Sequence, residues 1–241
     1  MRGPIPAMRL WYRIMRGVAG GALRVILERE VIGLDRLPGS GGVIVAANHG
    51  SFWDPPVLGV CLPRELAYMT KAAFLRLPLF GPLIRSLGAF PVRRGTADLS
   101  GLRHAEKTLA SGGALLVFPE GGRMKDGALH PPLPGLGLIE AHARVPIVPV
   151  YVSGTNRIRR CMVRREKVRV TIGTPLPAEL WFPPGQPSTL TGRALYQAIS
   201  DRVMLEIALL RKQQEAATRS GAAPATDPSP RARSHERGGS T

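Results

Sequence analysis

Four short, unbroken apolar runs constrain the fold of this chain more than any other feature. They are Val43-Ile44-Val45-Ala46-Ala47, Leu66–Met69, Ala114–Phe118 and Ile147–Val152. A short apolar run without alternation reads as a strand buried on both faces, and such strands belong to parallel sheets. Val168, Val170 and Ile172 alternate with Arg169 and Thr171, the pattern of a half-exposed strand. Helical periodicity fills the intervals, clearest at 98–110, with Leu99, Leu102 and Leu109, and at 136–143. Residues 193–212 make a last amphipathic helix through Leu195, Ile199, Val203, Ile207 and Leu210. Strands alternating with helices predict an α/β fold, a mixed, largely parallel sheet flanked by helices. A chain of 241 residues buries a sizeable core without disulfides or metal. Cys61 and Cys161 fit no metal or redox spacing and point to a reducing compartment.

Residues 8–27 form a separate amphipathic segment. At about 100° per residue, Trp11, Ile14, Met15, Val18, Ala22, Val25 and Ile26 fall within one third of the wheel, and Arg9, Arg13, Arg16 and Arg24 fall opposite. An apolar stripe with tryptophan facing an arginine face is the pattern of a helix lying among lipid headgroups. A helix packed on its own domain with a solvated basic face has the same pattern. No apolar run approaches the ~20 residues a spanning helix needs, and the four arginines break any signal-peptide region. The segment therefore predicts a peripheral protein at the cytoplasmic face of the cell membrane. Beyond about residue 215 the sequence has no Val, Ile, Leu or aromatic residue, a composition of disorder. The expected organisation is a membrane-surface helix over 1–29, one domain over 30–212 and a disordered tail over 213–241.

Charge narrows the partners. Lys+Arg 33 against Asp+Glu 17 gives +16, nearly all of it within residues 1–212, and 28 of the cations are arginine. A basic folded part meets something anionic: phosphate, an acidic membrane or nucleic acid. A compositional bias of the source genome gives the same excess. The cluster Arg157, Arg159, Arg160, Arg164, Arg165, Lys167 and Arg169 has no aromatic residue for base stacking. It reads instead as a surface for the membrane, an acidic carrier protein or a nucleotide, and no nucleic-acid partner is expected.

The run 43–47 passes directly into Asn48-His49-Gly50-Ser51-Phe52-Trp53-Asp54-Pro55-Pro56. A histidine at the exit of a buried parallel strand stands where α/β folds place their ligands. On a regular helix Asp54 would point about 140° away from His49, so the pair meets only across a turn, which Gly50 and the two prolines permit. Asp54 then fixes the imidazole tautomer and leaves the other nitrogen to act as base. Asp54 before Pro55 reads equally well as a helix N-cap, and the two roles are compatible. After the run 114–118, Glu120-Gly121-Gly122-Arg123 offers backbone N–H groups and a guanidinium for phosphate. Alone, this loop also fits an ordinary glycine turn with a surface ion pair. His104, His130 and His142 have no acidic partner at a telling spacing and read as surface or structural; His235 lies in the tail.

Asn48-His49-x-Ser51-x-x-Asp54 resembles the first motif of the glycerolipid (lysophosphatidate) acyltransferase family. Gly88-Ala89-Phe90-Pro91-Val92-Arg93-Arg94 resembles the second, with its closing arginine at Arg94. Phe118-Pro119-Glu120-Gly121-Gly122-Arg123 resembles the third and Val145-Pro146-Ile147-Val148-Pro149-Val150 the fourth. The four follow in the family's order over roughly residues 30–175. The resemblance implies acyl transfer from a thioester, acyl-CoA or acyl-carrier-protein, to the hydroxyl of 1-acylglycerol 3-phosphate, giving phosphatidate. It implies His49 as base and Asp54 as its orienter. Arg94, Glu120, Gly121 and Arg123 would bind substrate, with Lys71 at a basic position the family often has. No metal and no bound cofactor beyond the thioester co-substrate are implied.

Two departures thin the phosphate side. The third motif's threonine is Gly122 here, and Leu133-Pro134 stands before Gly135 where the family commonly carries a basic residue. Glycerol 3-phosphate or a phosphate-free lyso-lipid, such as a lyso-ornithine lipid, is therefore the alternative acceptor. A non-catalytic basic module that binds lipid or nucleic acid is the alternative of another class.

Overall fold

The apolar runs lie at the centre of one seven-stranded sheet. The computed structural model describes residues 9–92, 98–163, 166–185 and 190–220. In chain order, α1 (Leu10–Ile26) leads into β1 (Arg29–Ile32), β2 (Val43–Ala47), α2 (Asp54–Cys61), β3 (Leu66–Lys71), α3 (Ala72–Leu75), α4 (Phe80–Ser86) and β4 (Ala89–Val92). Then come α5 (Leu99–Ala110), β5 (Ala114–Val117), α6 (Gly135–Ala143), β6 (Ile147–Ser153), α7 (Ile158–Met162), β7 (Val168–Ile172) and α8 (Gly192–Ser220). The strands are ordered β1-β7-β6-β2-β5-β3-β4, and every neighbouring pair is parallel except β6–β7. The strands from β6 to β4 therefore share one direction, and their carboxyl ends form one edge of the sheet.

Alternation along β2 builds two layers. Val43, Val45 and Ala47 pack with Leu23, Val57, Leu58 and Leu62 of α1 and α2. Ile44 and Ala46 face Ala105, Leu136, Ile199 and Val203 of α5, α6 and α8. Gly137 lets α6 meet α8, since a Cβ there would strike the Tyr196 backbone. The mixed, largely parallel sheet is as the sequence predicts. Two strands carry neither an apolar run nor an alternating pattern, and both are edges. β1 begins with Arg29 and Glu30 and is half-buried throughout, and β4 contains Pro91, which an edge strand tolerates.

The termini differ from expectation. α8 continues past 212 to Ser220. Gln214 is buried and donates from Nε2 to Thr171 Oγ1 at 3.1 Å, and Arg211 pairs with Glu215 at 2.8 Å. One buried polar anchor and i,i+4 pairs thus extend a helix that apolar periodicity alone would end earlier. Residues 221–241 of the expected tail lie outside the described residues, as do residues 1–8 of the expected leading segment.

α1 forms and packs on the domain through a face outside the apolar stripe. Tyr12 and Leu23 are buried against α2 and β3, with the Leu66 N–H donating to the Tyr12 hydroxyl at 3.2 Å. Arg9 pairs with Glu65, and Arg16 Nε donates to the Val60 carbonyl at 3.3 Å. Leu10, Trp11, Ile14, Val18 and Val25 remain exposed. The arginines therefore do not act as one face: two hold the helix to its domain, while Arg13 and Arg24 are exposed. No helix among the described residues is long and apolar enough to cross a membrane.

Candidate active site

His49 and Asp54 meet at the carboxyl edge of the sheet. The segment between them is a turn, and His49 Nδ1 lies 2.9 Å from Asp54 Oδ2. The Ser51 N–H donates to the same oxygen at 2.8 Å. Asp54 is fully buried and opens the first turn of α2, while Trp53 occupies the cap position without a side-chain cap bond. The N-cap reading of Asp54 is thereby corrected. Pro55 and Pro56 have no N–H to cap, so the carboxylate is left to the imidazole and the loop. A carboxylate only accepts, so Nδ1 is the donor and Nε2 keeps its lone pair. The ring stacks on Phe118, with centroids 4.0 Å apart, and its rotation is fixed from both sides.

The backbone around His49 is held as firmly. Asn48 Oδ1 accepts the Val152 N–H at 2.7 Å and Nδ2 donates to the Val152 carbonyl at 3.0 Å. These two bonds continue the β2–β6 ladder one residue beyond Ala47. The His49 N–H donates to Glu120 Oε2 at 2.8 Å, and its carbonyl accepts the Met124 N–H at 2.8 Å. Sequence reasoning assigned no role to Asn48, Phe118 or Met124. The available signal was Asn48 itself, an amide with both a donor and an acceptor directly after a buried strand.

Two of the expected substrate ligands are occupied internally. Glu120 is 5% exposed, and Oε1 accepts the His130 N–H at 3.2 Å while Oε2 holds His49. Burial pushes its carboxyl up, and the two N–H donors act against that shift. Both oxygens are thus engaged within the fold, and the donors come from the protein's own loops. The Gly121 N–H donates to the Phe118 carbonyl at 3.0 Å. Gly121 has φ +68°, where a Cβ would run into Leu133, so the residue shapes the turn.

Arg123 remains open. It is half-buried, its guanidinium stacks 3.3 Å from the centroid of the exposed Phe52 ring, and it has no hydrogen-bonding acceptor among the described residues. Lys71 ends β3, exposed and opposite Val92 of β4. Two strand spacings, about 10 Å, separate β3 from β2. Arg94 lies outside the described residues, two positions beyond that Val92. The arrangement is an imidazole held by a carboxylate, with a guanidinium that has no acceptor among the described residues on the adjoining loop, at the edge where α/β sheets bind ligands.

Residues 28–153, just over half of the chain, match the family model described as Acyltransferase. The chain belongs to the Acyltransferase family. It is 30% identical over 156 residues to the chloroplastic 1-acyl-sn-glycerol-3-phosphate acyltransferase BAT2 of Brassica napus, covering 62% of this chain and 45% of that protein. It is 37% identical over 109 residues to the lyso-ornithine lipid O-acyltransferase of Pseudomonas aeruginosa, covering 44% of this chain and 41% of that one. The chain thus spans less than half the length of these two relatives. Its fold resembles the crystal structure of the 1-acyl-sn-glycerophosphate acyltransferase PlsC from Thermotoga maritima, with a TM-score of 0.65 at 21% identity, over 84% of this chain and 79% of that one.

In this acyltransferase-family chain, other polar groups stand apart from the dyad. His130 Nε2 lies 2.7 Å from Asp126 Oδ2, and His142 Nδ1 lies 2.9 Å from Glu106 Oε1, so two histidines without an expected partner have one at the surface. The second pair bridges α6 and α5, a contact that spacing along the chain does not show. His104 stacks on Phe90. The basic cluster is largely neutralised among the described residues. Arg157 and Arg160 share Glu166, Lys167 pairs with Glu28, and Arg169 with Glu30. Arg164 and Arg165 lie outside the described residues. A cavity of about 420 Å³ opens at the opposite edge of the sheet, but Arg64 in its wall already donates to the carbonyls of Pro38, Gly41 and Gly112.

Proposed function

We propose that the chain transfers a fatty acyl group from a thioester, acyl-CoA or acyl-carrier-protein, to the free hydroxyl of 1-acylglycerol 3-phosphate, giving phosphatidate. The observation that carries this reading is the 2.9 Å contact of His49 Nδ1 with Asp54 Oδ2, which leaves Nε2 as the basic nitrogen, while the loop that carries Arg123 is tied to the His49 carbonyl through the Met124 N–H. The acceptor hydroxyl gives its proton to Nε2 as its oxygen attacks the thioester carbonyl. The C–S bond then breaks, and the imidazolium returns the proton to the departing thiolate. Asp54 stabilises the imidazolium formed between these steps. Direct attack by the hydroxyl asks for no nucleophilic side chain and no bound cofactor. Arg123 takes the acceptor phosphate, with Lys71 at the end of β3 and Arg94 as further candidate cations.

A second acceptor is favoured by a specific observation. The Gly121 N–H is occupied within the protein, and Gly122 brings no hydroxyl, so few donors remain for a phosphate. The 37% identity to a lyso-ornithine lipid O-acyltransferase points the same way. An acceptor panel with the purified protein separates the readings. Transfer to 1-acylglycerol 3-phosphate in preference to lyso-ornithine lipid and glycerol 3-phosphate supports the first, and the reverse order replaces it. The exposed stripe of α1 supports a peripheral position at the cytoplasmic face of the cell membrane, where both lipid substrate and product reside.

A further inference from the structure

The connection from β3 to β4 shows a second unpartnered apolar surface, built differently from α1. Leu77, Leu79, Phe80 and Leu83 are exposed on the α3–α4 hairpin, and Leu79 at its tip is 90% exposed. Leu79 also has φ 61° and ψ −49°. The Phe80 N–H closes onto the Pro78 carbonyl at 2.6 Å, so Leu79 is the central residue of the rarer, strained kind of γ-turn. In water this turn favours glycine over leucine on both counts, conformation and exposure. A small cluster, Leu75, Ile84 and Ala89 with Tyr68 and Phe74, forms the apolar seat of the hairpin on the domain.

Charge identifies what covers the tip. From 66 to 97 the sequence contains no Asp or Glu and five cations, Lys71, Arg76, Arg85, Arg93 and Arg94. Lys71, Arg76 and Arg85 are exposed around the hairpin. An apolar tip on a segment whose charged residues are all cationic matches an anionic lipid surface. The hairpin is also continuous with both the stripe and the site. Trp11 Nε1 donates to Ser86 Oγ at 2.9 Å, joining α1 to the end of α4. At the other end Phe74 meets Phe52 edge to face, and Phe52 carries Arg123.

We propose that the α3–α4 hairpin inserts Leu79 and Phe80 into an anionic bilayer beside α1, and so holds the catalytic edge against the layer that supplies the acceptor lipid. Insertion stands on the hairpin alone; the delivery of acceptor rests on the acyl-transfer reading. The experiment separates the two. Cys161 is buried and Cys61 half-buried, so Leu79→Cys in a Cys61→Ser background takes an environment-sensitive fluorophore at the tip. With phosphatidylglycerol-containing vesicles the emission shifts to the blue, bromine on the lipid acyl chains quenches it, and aqueous iodide no longer does. This readout needs no turnover. A label that iodide still reaches while the protein sediments with vesicles overturns the proposal. So does a label already protected without vesicles, which would mean a second copy covers the tip. In turnover, Leu79→Ser with Phe80→Ser weakens use of vesicle-borne acceptor by about 10- to 100-fold and leaves a short-chain soluble acceptor within about twofold. Equal losses with both acceptors overturn the delivery role. Leu79→Gly raises the melting temperature while lowering vesicle binding, a split that a purely structural tip does not produce.

Discussion

The carboxylate of Glu120 holds the backbone N–H of His49 at 2.8 Å, across 71 positions of sequence. Its other oxygen takes the His130 N–H, so one buried side chain ties together the loops leaving β2 and β5. The loop 118–123 therefore braces His49 as well as carrying Arg123. Glu120→Ala leaves two N–H groups without their acceptor, each costing about 1–3 kcal/mol. The expected result is a lowered melting temperature and a lower kcat, with KM for the acceptor near the parent's. A rise in KM at unchanged kcat and stability would instead make Glu120 a substrate ligand.

The dyad predicts a different split. His49→Ala removes the base and lowers the rate by about 10²–10⁴-fold, with folding and vesicle binding intact. Activity within about tenfold of the parent would remove the general-base role. Asp54→Asn also loses activity, because a neutral amide no longer stabilises the imidazolium. Since Asp54 makes no cap bond in α2, circular dichroism on that variant should show an unshortened helix content.

Arg123→Ala tests the phosphate. Loss of a charge-assisted contact costs ~1.5–3 kcal/mol, or about 10–150-fold in kcat/KM, and it should fall on phosphorylated acceptors alone. The same loss with a phosphate-free acceptor would assign Arg123 to packing on Phe52 and favour the lyso-ornithine-type reading.

How much of this was legible in the sequence depends on the kind of contact. Runs such as Val43–Ala47 announce themselves because burial on both faces leaves no polar residue in them. His49 and Asp54 were legible because glycine and proline between them force a turn. The bracing contacts of Glu120 were not legible because the same side chain can serve a ligand or a loop, and only the fold brings the His49 and His130 amides to it. α1 illustrates the limit of a helical wheel. The stripe was found, but Tyr12 and Leu23, which dock the helix, lie off it, and the arginine face is divided by Glu65 and the Val60 carbonyl. β1 and β4 escaped because edge strands need no apolar run.

Glu140 gives the fold a pH dependence. It is fully buried on α6, with Oε2 accepting the Val145 N–H at 3.2 Å and Oε1 unpartnered among the described residues. Burial pushes its carboxyl from 4.5 up to about 8. Between those values the folded chain keeps a proton that the unfolded chain has lost. Its contribution to stability is therefore complete below about 4.5 and falls by about 1.4 kcal/mol per pH unit up to about 8. Glu140→Gln removes that slope. The parent-minus-variant difference in unfolding free energy should fall as pH rises through this window, and a flat difference would mean that Glu140 is ionised in the fold.

The α1 arginines divide into two pairs with opposite consequences. Arg13 and Arg24 are exposed beside the open stripe, whereas Arg9 and Arg16 bond to Glu65 and the Val60 carbonyl. Each cation near an acidic membrane contributes about 1 kcal/mol, and reversal replaces that attraction with repulsion. Arg13→Glu with Arg24→Glu should thus weaken sedimentation with phosphatidylglycerol vesicles by on the order of 10²–10³-fold, with no loss of melting temperature. Activity toward a short-chain soluble acceptor should persist, because the dyad is untouched. Arg9→Glu with Arg16→Glu should act on the fold instead, since it sets a carboxylate against Glu65 and loosens α1 from α2. The Arg9–Glu65 pair is largely solvent-exposed, so its own loss costs only about 0–1 kcal/mol, and the repulsion adds to it. If both double variants release vesicles equally at unchanged stability, the helix is held to its domain by Tyr12 and Leu23 alone, and all four arginines serve the membrane.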